Sequence, residues 1–362
     1  MWGHLRAEFF LDYSQVGHRS ALLSGLYFLT GFGTEAVLVF FVLSGFLISS
    51  AIFSRHASGA WSWRDYAIDR SSRLYVVLIP GLLLGLLWDK LGSSIFAATG
   101  IYSQPLANFG QFVVQTRLGA GIFLGNLFFL QTIVCPAYGS NGPLWSLANE
   151  FWYYVLFPVA LSAALAWKKR SMATGILLTL LAAGVAAFIG WAILLGFVIW
   201  LSGTVLVFAY SRWTISSKMW LTLYSLASFV LLGACLFAAR TGNSMVLGDH
   251  LPVGISFSVF LFAVLQASWG AARASYVQLA RFLAGFSYSL YVLHFPLLLF
   301  LRGWLTPTGR WQPDASHLTY GVGIGAAVLG FAWLVSLLTE ARTSTARKWM
   351  RSIVPRLDSH LG

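Results

Sequence analysis

Four ionisable residues stand in otherwise apolar stretches of this sequence, and each could carry acid–base chemistry. They are His4, Glu35, Glu150 and His294. Placing such a side chain at membrane depth is energetically costly, so these residues are functional candidates by default. A histidine exchanges a proton near neutral pH, and a carboxylate can orient a histidine or stabilise its charged form. These residue types indicate chemistry that moves a proton.

Arg70 and Arg73 form a second candidate site. Residues at i and i+3 lie on one face of a helix, and two guanidinium groups there could hold a phosphate with paired hydrogen bonds. The cytoplasmic flank of almost any membrane helix can show the same basic pair. The spacing leaves both interpretations open.

The composition indicates that membrane helices must position these residues. Of the 362 residues, 58% are hydrophobic and 9% are charged, and the mean hydropathy is +0.75. A soluble domain has about 25% charged residues, so a cytosolic globular enzyme, a disordered protein and a fibrous protein are excluded. The apolar stretches, of about 18–22 residues, are long enough to cross a hydrocarbon core of about 30 Å. The sequence predicts an all-α, polytopic integral-membrane bundle.

The excess of basic residues does not indicate nucleic-acid binding. The formal net charge is +12, but the Lys and Arg residues lie in short loops and near the C-terminus, as the positive-inside rule requires. No basic face carries residues suited to reading bases. Cys135 and Cys235 form no CxxC pair, and the histidines lack metal-ligand spacing. We therefore expect no nucleic-acid partner and no bound metal.

The predicted membrane spans follow one another without an intervening soluble domain or repeat. Residues 1–11 would reach about 16 Å as a helix, and they resemble the second half of a membrane helix whose first half is absent. Further spans are expected at residues 33–53, 73–91, 145–166, 173–189, 192–210, 219–238, 253–269, 283–303 and 319–339. We predict about ten membrane helices, the first of them truncated. Residues 1–342 are assigned to the membrane domain and residues 343–362 to a basic cytoplasmic tail.

The side of the membrane that each loop reaches depends on whether residues 121–134 cross it. If they do not, and if the loop at 54–72 is cytoplasmic, 16 of the 23 Lys and Arg residues are cytoplasmic. The other 7 are then outside: Arg6, Arg19, Lys90, Arg117, Arg240, Arg302 and Arg310. A crossing would reverse the split to 7 inside and 16 outside, against the positive-inside rule. We therefore predict that residues 121–134 are re-entrant or interfacial and that the C-terminus is cytoplasmic.

Four segments match the motifs of one family in the order in which they occur there. Residues 40–48 read FFVLSGFLI, and residues 70–80 contain an RxxR pair with a following proline. Residues 143–150 read PLWSLANE, and residues 286–296 read FSYSLYVLHFP. These segments resemble the FFVLSGFLI, RxxR, PLWSLxxE and SYSLYLxHxP motifs of the membrane-bound acyltransferase family 3. Jointly they are specific, and they cover most of the chain.

The resemblance implies an O-acyltransferase that moves an acyl group, usually acetyl, from cytoplasmic acyl-coenzyme A to a sugar hydroxyl of a cell-surface or exported polysaccharide or glycolipid. Its partners would be acyl-coenzyme A, the glycan acceptor and the lipid bilayer, here the bacterial inner membrane. Residues 3–6 match the region of the family's catalytic histidine, which identifies His4 with that base. The family's arginine upstream of this histidine has no counterpart in the sequence, which predicts a start codon assigned too late or a truncated product.

The chemistry of acyl transfer then predicts a role for each candidate residue. His4 would remove the proton from the acceptor hydroxyl, and Glu150 or Glu35 would orient the histidine. Arg70 and Arg73 would bind the phosphates of coenzyme A at the cytoplasmic face. The residues expected to contact the substrate are Trp145, Ser146, Tyr288 and His294.

Structural interpretations of the same residues remain open. Ser44 and Gly45 can simply let two helices approach closely. His294 can bond to a backbone carbonyl freed by Pro296, and Glu35 can be an interfacial residue. The alternative functions are a proton-coupled transporter that uses the membrane acids and a histidine as a relay, and a non-catalytic export partner of a polysaccharide assembly system.

Overall fold

A computed structural model describes residues 1–106, 112–242, 250–267 and 274–354, which are mainly helical. The helices are α1 (Trp2–Phe9), α2 (Ala21–Leu29), α3 (Gly33–Ala57), α4 (Trp63–Ile95), α5 (Ala120–Leu127), α6 (Leu144–Lys168), α7 (Met172–Arg212), α8 (Lys218–Thr241), α9 (Leu251–Gln266), α10 (Ala274–Ala284), α11 (Ser287–Leu305), α12 (Ala315–Leu338) and α13 (Thr343–Ile353). The described residues contain isolated β-bridges but no strand. The predicted all-α fold is confirmed.

Seven helical segments of the described chain are long and apolar enough to cross a membrane. They are Gly33–Ala57, Trp63–Ile95, Leu144–Lys168, Met172–Arg212, Lys218–Thr241, Ser287–Leu305 and Ala315–Ile353. With 41 residues, α7 combines two predicted spans, and it breaks at Gly190, whose φ of 76° favours glycine. The apolar helix α9 has only 16 residues, fewer than the ~20 of a typical span. The chain is an integral-membrane helical protein.

Residues 121–134 do not form a helix that could cross a membrane. The helix α5 begins one residue before this segment and has 8 residues, so it is about 12 Å long. Turns follow it. Asn126 holds these turns together, because its amide donates to the carbonyls of Ile122 and Pro136, each at 2.9 Å. Its side-chain oxygen accepts from the backbone N–H of Tyr138 at 3.0 Å. The segment is therefore too short to span, in agreement with the charge distribution.

The chain divides into two compact units. Unit 1 comprises Met1–Thr30, Ser62–Ala148 and Arg273–Gly362, and unit 2 comprises Gly31–Trp61 and Asn149–Ala272. The first turn of α6 therefore belongs to unit 1 and the rest of that helix to unit 2. Arg273, the end of the span predicted at 253–269 and residues 355–362 of the predicted tail lie outside the described residues.

Unit 1 is built around the packing of α4 against α11. Gly81 and Gly85 lie one turn apart on α4 and face Val292 and Pro296 of α11, and a side chain at Gly81 would overlap that of Val292. An apolar cluster joins α1, α11 and α12. Its buried members are Leu5, Phe9, Phe10, Leu297, Leu298, Ile324 and Val328. This packing fixes the short helix α1 against α11.

Unit 2 depends on a close approach of α3 and α7. A side chain at Gly45 would overlap the backbone carbonyl of Trp200, and one at Gly203 would overlap that of Val42. The buried indole of Trp200 donates to the hydroxyl of Ser44 at 3.2 Å. The small pair Ser44 and Gly45 therefore serves helix packing, which is one of the two interpretations that the sequence left open.

The predicted C-terminal tail begins as an ordered helix of unit 1. The start of α13 at Thr343 coincides with the predicted boundary, and α13 packs against α4. Asp69 of α4 forms ion pairs with Arg347 and Arg351, each at 3.2 Å. Arg64 donates to the carbonyl of Arg351 at 2.7 Å. These contacts attach α13 to the end of α4 that carries the predicted phosphate site.

Candidate active site

Two histidines meet where α1 packs against α11. The ring centroids of His4 and His294 are 5.1 Å apart, with the ring planes inclined at 33°. Phe295 lies edge-on to His4 at 5.4 Å. His294 is 1% exposed, and His4 is partly exposed. The sequence presents the two residues as separate candidates, and the fold makes them one site.

The hydrogen bonds of His294 assign a role to each ring nitrogen. Its Nδ1 lies 3.0 Å from the carbonyl oxygen of Leu290 and 2.7 Å from that of Tyr291. Because a carbonyl oxygen only accepts hydrogen bonds, Nδ1 carries the proton and Nε2 has an unshared electron pair. In the described part of the chain, Nε2 has no hydrogen-bond partner. His294 therefore holds a proton-accepting atom in a fixed position.

Pro296 frees a backbone carbonyl that His294 does not use. A proline in a helix cannot donate to the carbonyl four residues before it, which here belongs to Val292. Asn141 replaces the lost bond, because its Nδ2 donates to the Val292 carbonyl at 2.8 Å. His294 instead bonds to two other carbonyls of the preceding turn. The interpretation of His294 as the partner of the freed carbonyl is wrong.

Ser146 and Trp145 lie in the part of α6 that belongs to unit 1. The hydroxyl of Ser146 is 2.5 Å from that of Tyr291, which donates to the carbonyl of Pro143 at 2.7 Å. Trp145 is partly exposed. Ser146 therefore ties the first turn of α6 to α11, and its role in binding substrate stays a prediction, as does that of Trp145.

Arg70 and Arg73 project from α4 beside aromatic rings. The guanidinium carbon of Arg73 lies 5.6 Å from the ring centroid of the buried Tyr288, and that of Arg70 lies 5.9 Å from the ring of Tyr66. An aromatic face can hold a guanidinium plane while leaving N–H donors for an anion. Tyr288, predicted to contact substrate, therefore lies with the predicted phosphate site.

Glu150 takes part in a chain of hydrogen bonds within unit 2. The hydroxyl of Tyr154 donates to its carboxylate, and the hydroxyl of Ser44 lies 3.4 Å from that of Tyr154. The indole of Trp200 donates in turn to Ser44. Two motifs of the sequence, around Ser44 and around Glu150, thus join in one buried network.

Glu35 is buried in the first turn of α3 and is paired with a histidine that the sequence analysis did not single out. Its Oε1 lies 3.2 Å from Nδ1 of His250, the residue before α9. Both residues belong to unit 2. No sequence spacing indicates this pair. The predicted orientation of His4 by Glu150 or Glu35 stays a prediction.

Asp89 is a buried acid in unit 1 that the sequence analysis did not single out. It is 1% exposed within α4, and its Oδ2 accepts from the backbone N–H of Ser140 at 2.7 Å. In the sequence, Asp89 stands beside Lys90 near the end of the span predicted at residues 73–91. The useful signal was the four-residue spacing of Gly81, Gly85 and Asp89, which places all three on one helix face.

One comparison with known proteins identifies a family. Residues 2–337 match the family profile described as an acyltransferase domain, Acyl_transf_3, over nearly the whole chain. Comparisons with curated proteins and with solved structures found no match. The chain therefore belongs to acyltransferase family 3.

Proposed function

We propose that this protein transfers an acyl group, acetyl in the first instance, from acyl-coenzyme A to a hydroxyl of a cell-surface or exported polysaccharide or glycolipid. The observation that carries the proposal is the pair of histidines at 5.1 Å, one from α1 and one from α11. Transfer to a hydroxyl requires a base for the alcohol, a site for the donor and stabilisation of the developing oxyanion. Family membership supports acyl transfer in a membrane.

His4 is the proposed base. It takes the proton of the acceptor hydroxyl as the hydroxyl oxygen forms a bond to the thioester carbonyl carbon. The carbon–sulfur bond then breaks, and the proton held by His4 passes to the departing sulfur, so coenzyme A leaves as the thiol. His294 packs against His4 and limits the orientation of its ring.

The proposed donor site is the face of α4 that carries Arg70 and Arg73. Both guanidinium groups lie beside aromatic rings, and Arg73 is exposed. Two such groups can bind phosphates bidentately, and coenzyme A carries a diphosphate and a further phosphate. The chain's own residues thereby hold the donor through its charged end and leave the thioester to reach the histidines.

We place the protein in a bacterial inner membrane with its C-terminus in the cytoplasm. The support is the split of 16 against 7 basic residues that follows when residues 121–134 do not cross. The eight-residue length of α5 supports that arrangement. It puts Arg70 and Arg73 on the side where acyl-coenzyme A is made.

The test is acetyl transfer by detergent-permeabilised inner-membrane vesicles that contain the protein, so that labelled acetyl-coenzyme A and an added extract of the host's surface glycan reach both faces of the membrane. We expect His4→Gln to reduce incorporation of label by about 10²–10⁴-fold, since a positioned base contributes that much. Glutamine keeps a hydrogen-bonding side chain but does not accept the proton at neutral pH.

The matched control is His18→Gln, because His18 is exposed in the N-terminal loop of the same unit. It should transfer label at the wild-type rate. Full activity of His4→Gln together with loss of activity in His294→Gln would transfer the role of base to His294. Absence of labelled glycan with the unmodified protein would contradict the proposed function.

A further inference from the structure

We propose that Asp89, Asn141 and His294 form a binding site for neighbouring hydroxyl groups of the acceptor. The proposal rests on the proposed function, because it assigns the acceptor to a place in unit 1. Three different segments supply the residues: α4, the loop before α6, and α11. Each contributes one buried atom that can accept a hydrogen bond.

These three atoms lack a hydrogen-bond partner among the residues that the structure describes. They are Oδ1 of Asp89, Oδ1 of Asn141 and Nε2 of His294. Asp89 and His294 are each 1% exposed, and Asn141 is 2% exposed. An unsatisfied buried polar group costs free energy, so three on contacting elements indicate a place for a polar ligand. The hydroxyl of Tyr102 is also buried and has no partner among the described residues.

The contacts of the loop before α6 hold the three residues in one region. The backbone N–H of Ser140 donates to Oδ2 of Asp89 at 2.7 Å. The next residue, Asn141, donates through Nδ2 to the carbonyl of Val292 at 2.8 Å. Because Nδ2 is committed to that carbonyl, the amide oxygen of Asn141 points elsewhere. Val292 lies two residues before His294, so the loop bridges α4 and the turn of α11 that carries the histidine.

Gly139 shows that the loop is shaped to approach the carboxylate. Its φ is +54°, in the left-handed region that favours glycine. A side chain there would overlap the carboxylate of Asp89. The backbone can therefore come close to Asp89 only because residue 139 is glycine, and this closeness lets Ser140 fix one carboxylate oxygen and leave the other for a ligand.

The chemistry of the unpaired atoms selects hydroxyl groups. A carboxylate oxygen, an amide oxygen and an imidazole electron pair all require a hydrogen-bond donor. Sugars present several O–H donors on adjacent carbons, so one ring can satisfy more than one of these atoms. The thioester group of the donor has no N–H or O–H and cannot do so. The site therefore fits the acceptor rather than the reacting group of the donor.

The position of Asp89 along α4 agrees with this assignment. Arg73 and Asp89 are separated by about 24 Å along the helix axis, at 1.5 Å per residue. Arg73 lies near the end of α4 that the charge distribution places in the cytoplasm. Asp89 is near the opposite end, which would face the side where a surface glycan is modified.

The first experiment compares Asp89→Asn with the unmodified protein in the vesicle assay, with the glycan extract and acetyl-coenzyme A varied separately. The asparagine side chain can still accept from Ser140, but its NH₂ group replaces the free acceptor oxygen by a donor. We expect the apparent KM for the glycan to rise roughly 10–150-fold, as for loss of a hydrogen bond to a charged group. The KM for acetyl-coenzyme A should stay unchanged. Asp314→Asn, an exposed acid before α12, is the matched control and should change neither value.

An unchanged KM for the glycan would show that only water occupies the site and would overturn the proposal. A rise in the KM for acetyl-coenzyme A alone would overturn it as well, because Asp89 would then belong to the donor site. We expect coenzyme A to raise the unfolding temperature of the unmodified protein. A poorly folded Asp89→Asn variant would lose this rise, and the second experiment then decides.

The second experiment uses the unmodified purified protein and measures the rise in its unfolding temperature on adding glycan extract without donor. Native extract should raise this temperature, and permethylated extract should not, because methylation removes the O–H donors and keeps the oxygens. N-acetylated extract, in which the amino groups are blocked, should raise the unfolding temperature as native extract does. If it does not, amino groups rather than hydroxyls are the bound donors, and the proposal is overturned. Equal effects of native and permethylated extract would also overturn it. Because no transfer is needed, binding without labelled product would contradict the proposed function and leave the hydroxyl site intact.

Discussion

Asp89 in unit 1 and Glu150 in unit 2 are both carboxylates buried in membrane helices, but their surroundings differ. Glu150 accepts from Tyr154, at the end of a hydrogen-bonded chain that includes Ser44. Asp89 has one oxygen bonded to a backbone N–H, and its other oxygen is unpaired among the described residues. Burial alone therefore does not separate a carboxylate within a hydrogen-bonded network from one with an unpaired oxygen, which we propose binds a ligand.

The two environments indicate which measurement should respond to a mutation in each unit. Hydrogen-bonded polar groups between helices stabilise the fold, because each partner would otherwise be left unsatisfied in a membrane. A buried acceptor with an unpaired atom lowers stability and is available to a substrate. We expect changes at the unit 1 site to alter kinetic constants, and changes in the unit 2 network and helix contact to alter the free energy of unfolding.

Second only to the loss of the base His4, a large effect is expected at the proposed donor site of unit 1. Arg70→Ala and Arg73→Ala should each raise the apparent KM for acetyl-coenzyme A roughly 10–150-fold, because a hydrogen bond to a charged phosphate contributes about 1.5–3 kcal/mol. The unfolding temperature should stay the same. The vesicle assay with varied acetyl-coenzyme A measures the first quantity, and thermal unfolding of the purified variants measures the second.

Arg281→Ala is the control for this pair, since Arg281 is an exposed arginine of α10 on the side predicted to be cytoplasmic. It should leave the KM for acetyl-coenzyme A unchanged. If Arg70→Ala and Arg73→Ala behave like this control, the pair is only a positive-inside flank, and unit 1 loses its proposed donor site.

A smaller effect, on stability alone, is expected where α3 and α7 meet in unit 2. Gly45→Ala would place a methyl group against the backbone carbonyl of Trp200, and overpacking of this kind costs about 1–3 kcal/mol. Thermal unfolding in detergent measures the loss. The same substitution at Gly184 of α7, which has open space around it, should not lower the unfolding temperature. Equal stability of the two variants would show that the close approach of α3 and α7 is dispensable.

The smallest effect is expected for the hydrogen bond between Tyr154 and Glu150. Tyr154→Phe removes the hydroxyl that donates to Glu150 within α6 and contacts the hydroxyl of Ser44 on α3. It should lower the free energy of unfolding by about 0.5–2 kcal/mol, the range for hydrogen bonds between membrane helices, and leave both KM values unchanged. Glu150→Gln retains an acceptor oxygen for Tyr154 and should keep most of the activity. Denaturant unfolding and the vesicle assay measure these quantities. A large loss of transfer by Glu150→Gln at unchanged stability would support the predicted orientation of His4 by Glu150. Glu150 would then have a functional role like the one proposed for Asp89.

The class of fold and the family follow from the sequence, because apolar runs and family motifs can be recognised without the three-dimensional structure. Runs of apolar residues long enough to cross a bilayer dictate helices, since only an internally bonded backbone is stable there. The distribution of Lys and Arg indicated that residues 121–134 do not cross, and α5 is indeed too short. Four ordered motifs pointed to acyltransferase family 3, which the match of residues 2–337 confirms. The charges of loops and the residues of a motif are properties of short stretches of sequence, so they can be recognised without knowledge of the fold.

Only the tertiary structure decided which polar residues meet. His4 and His294 are brought together by the packing of α1 against α11, and nothing in their spacing along the chain indicates a contact. Asp89 stands beside Lys90 near the end of a predicted span, and nothing in that local sequence marks it as buried. A loop covers its carboxylate, and the loop backbone can approach so closely only because residue 139 has no side chain. Whether a buried polar atom has a hydrogen-bond partner depends on neighbours from distant parts of the chain. The sequence can therefore indicate candidate residues, but it cannot distinguish a paired carboxylate from an unpaired one.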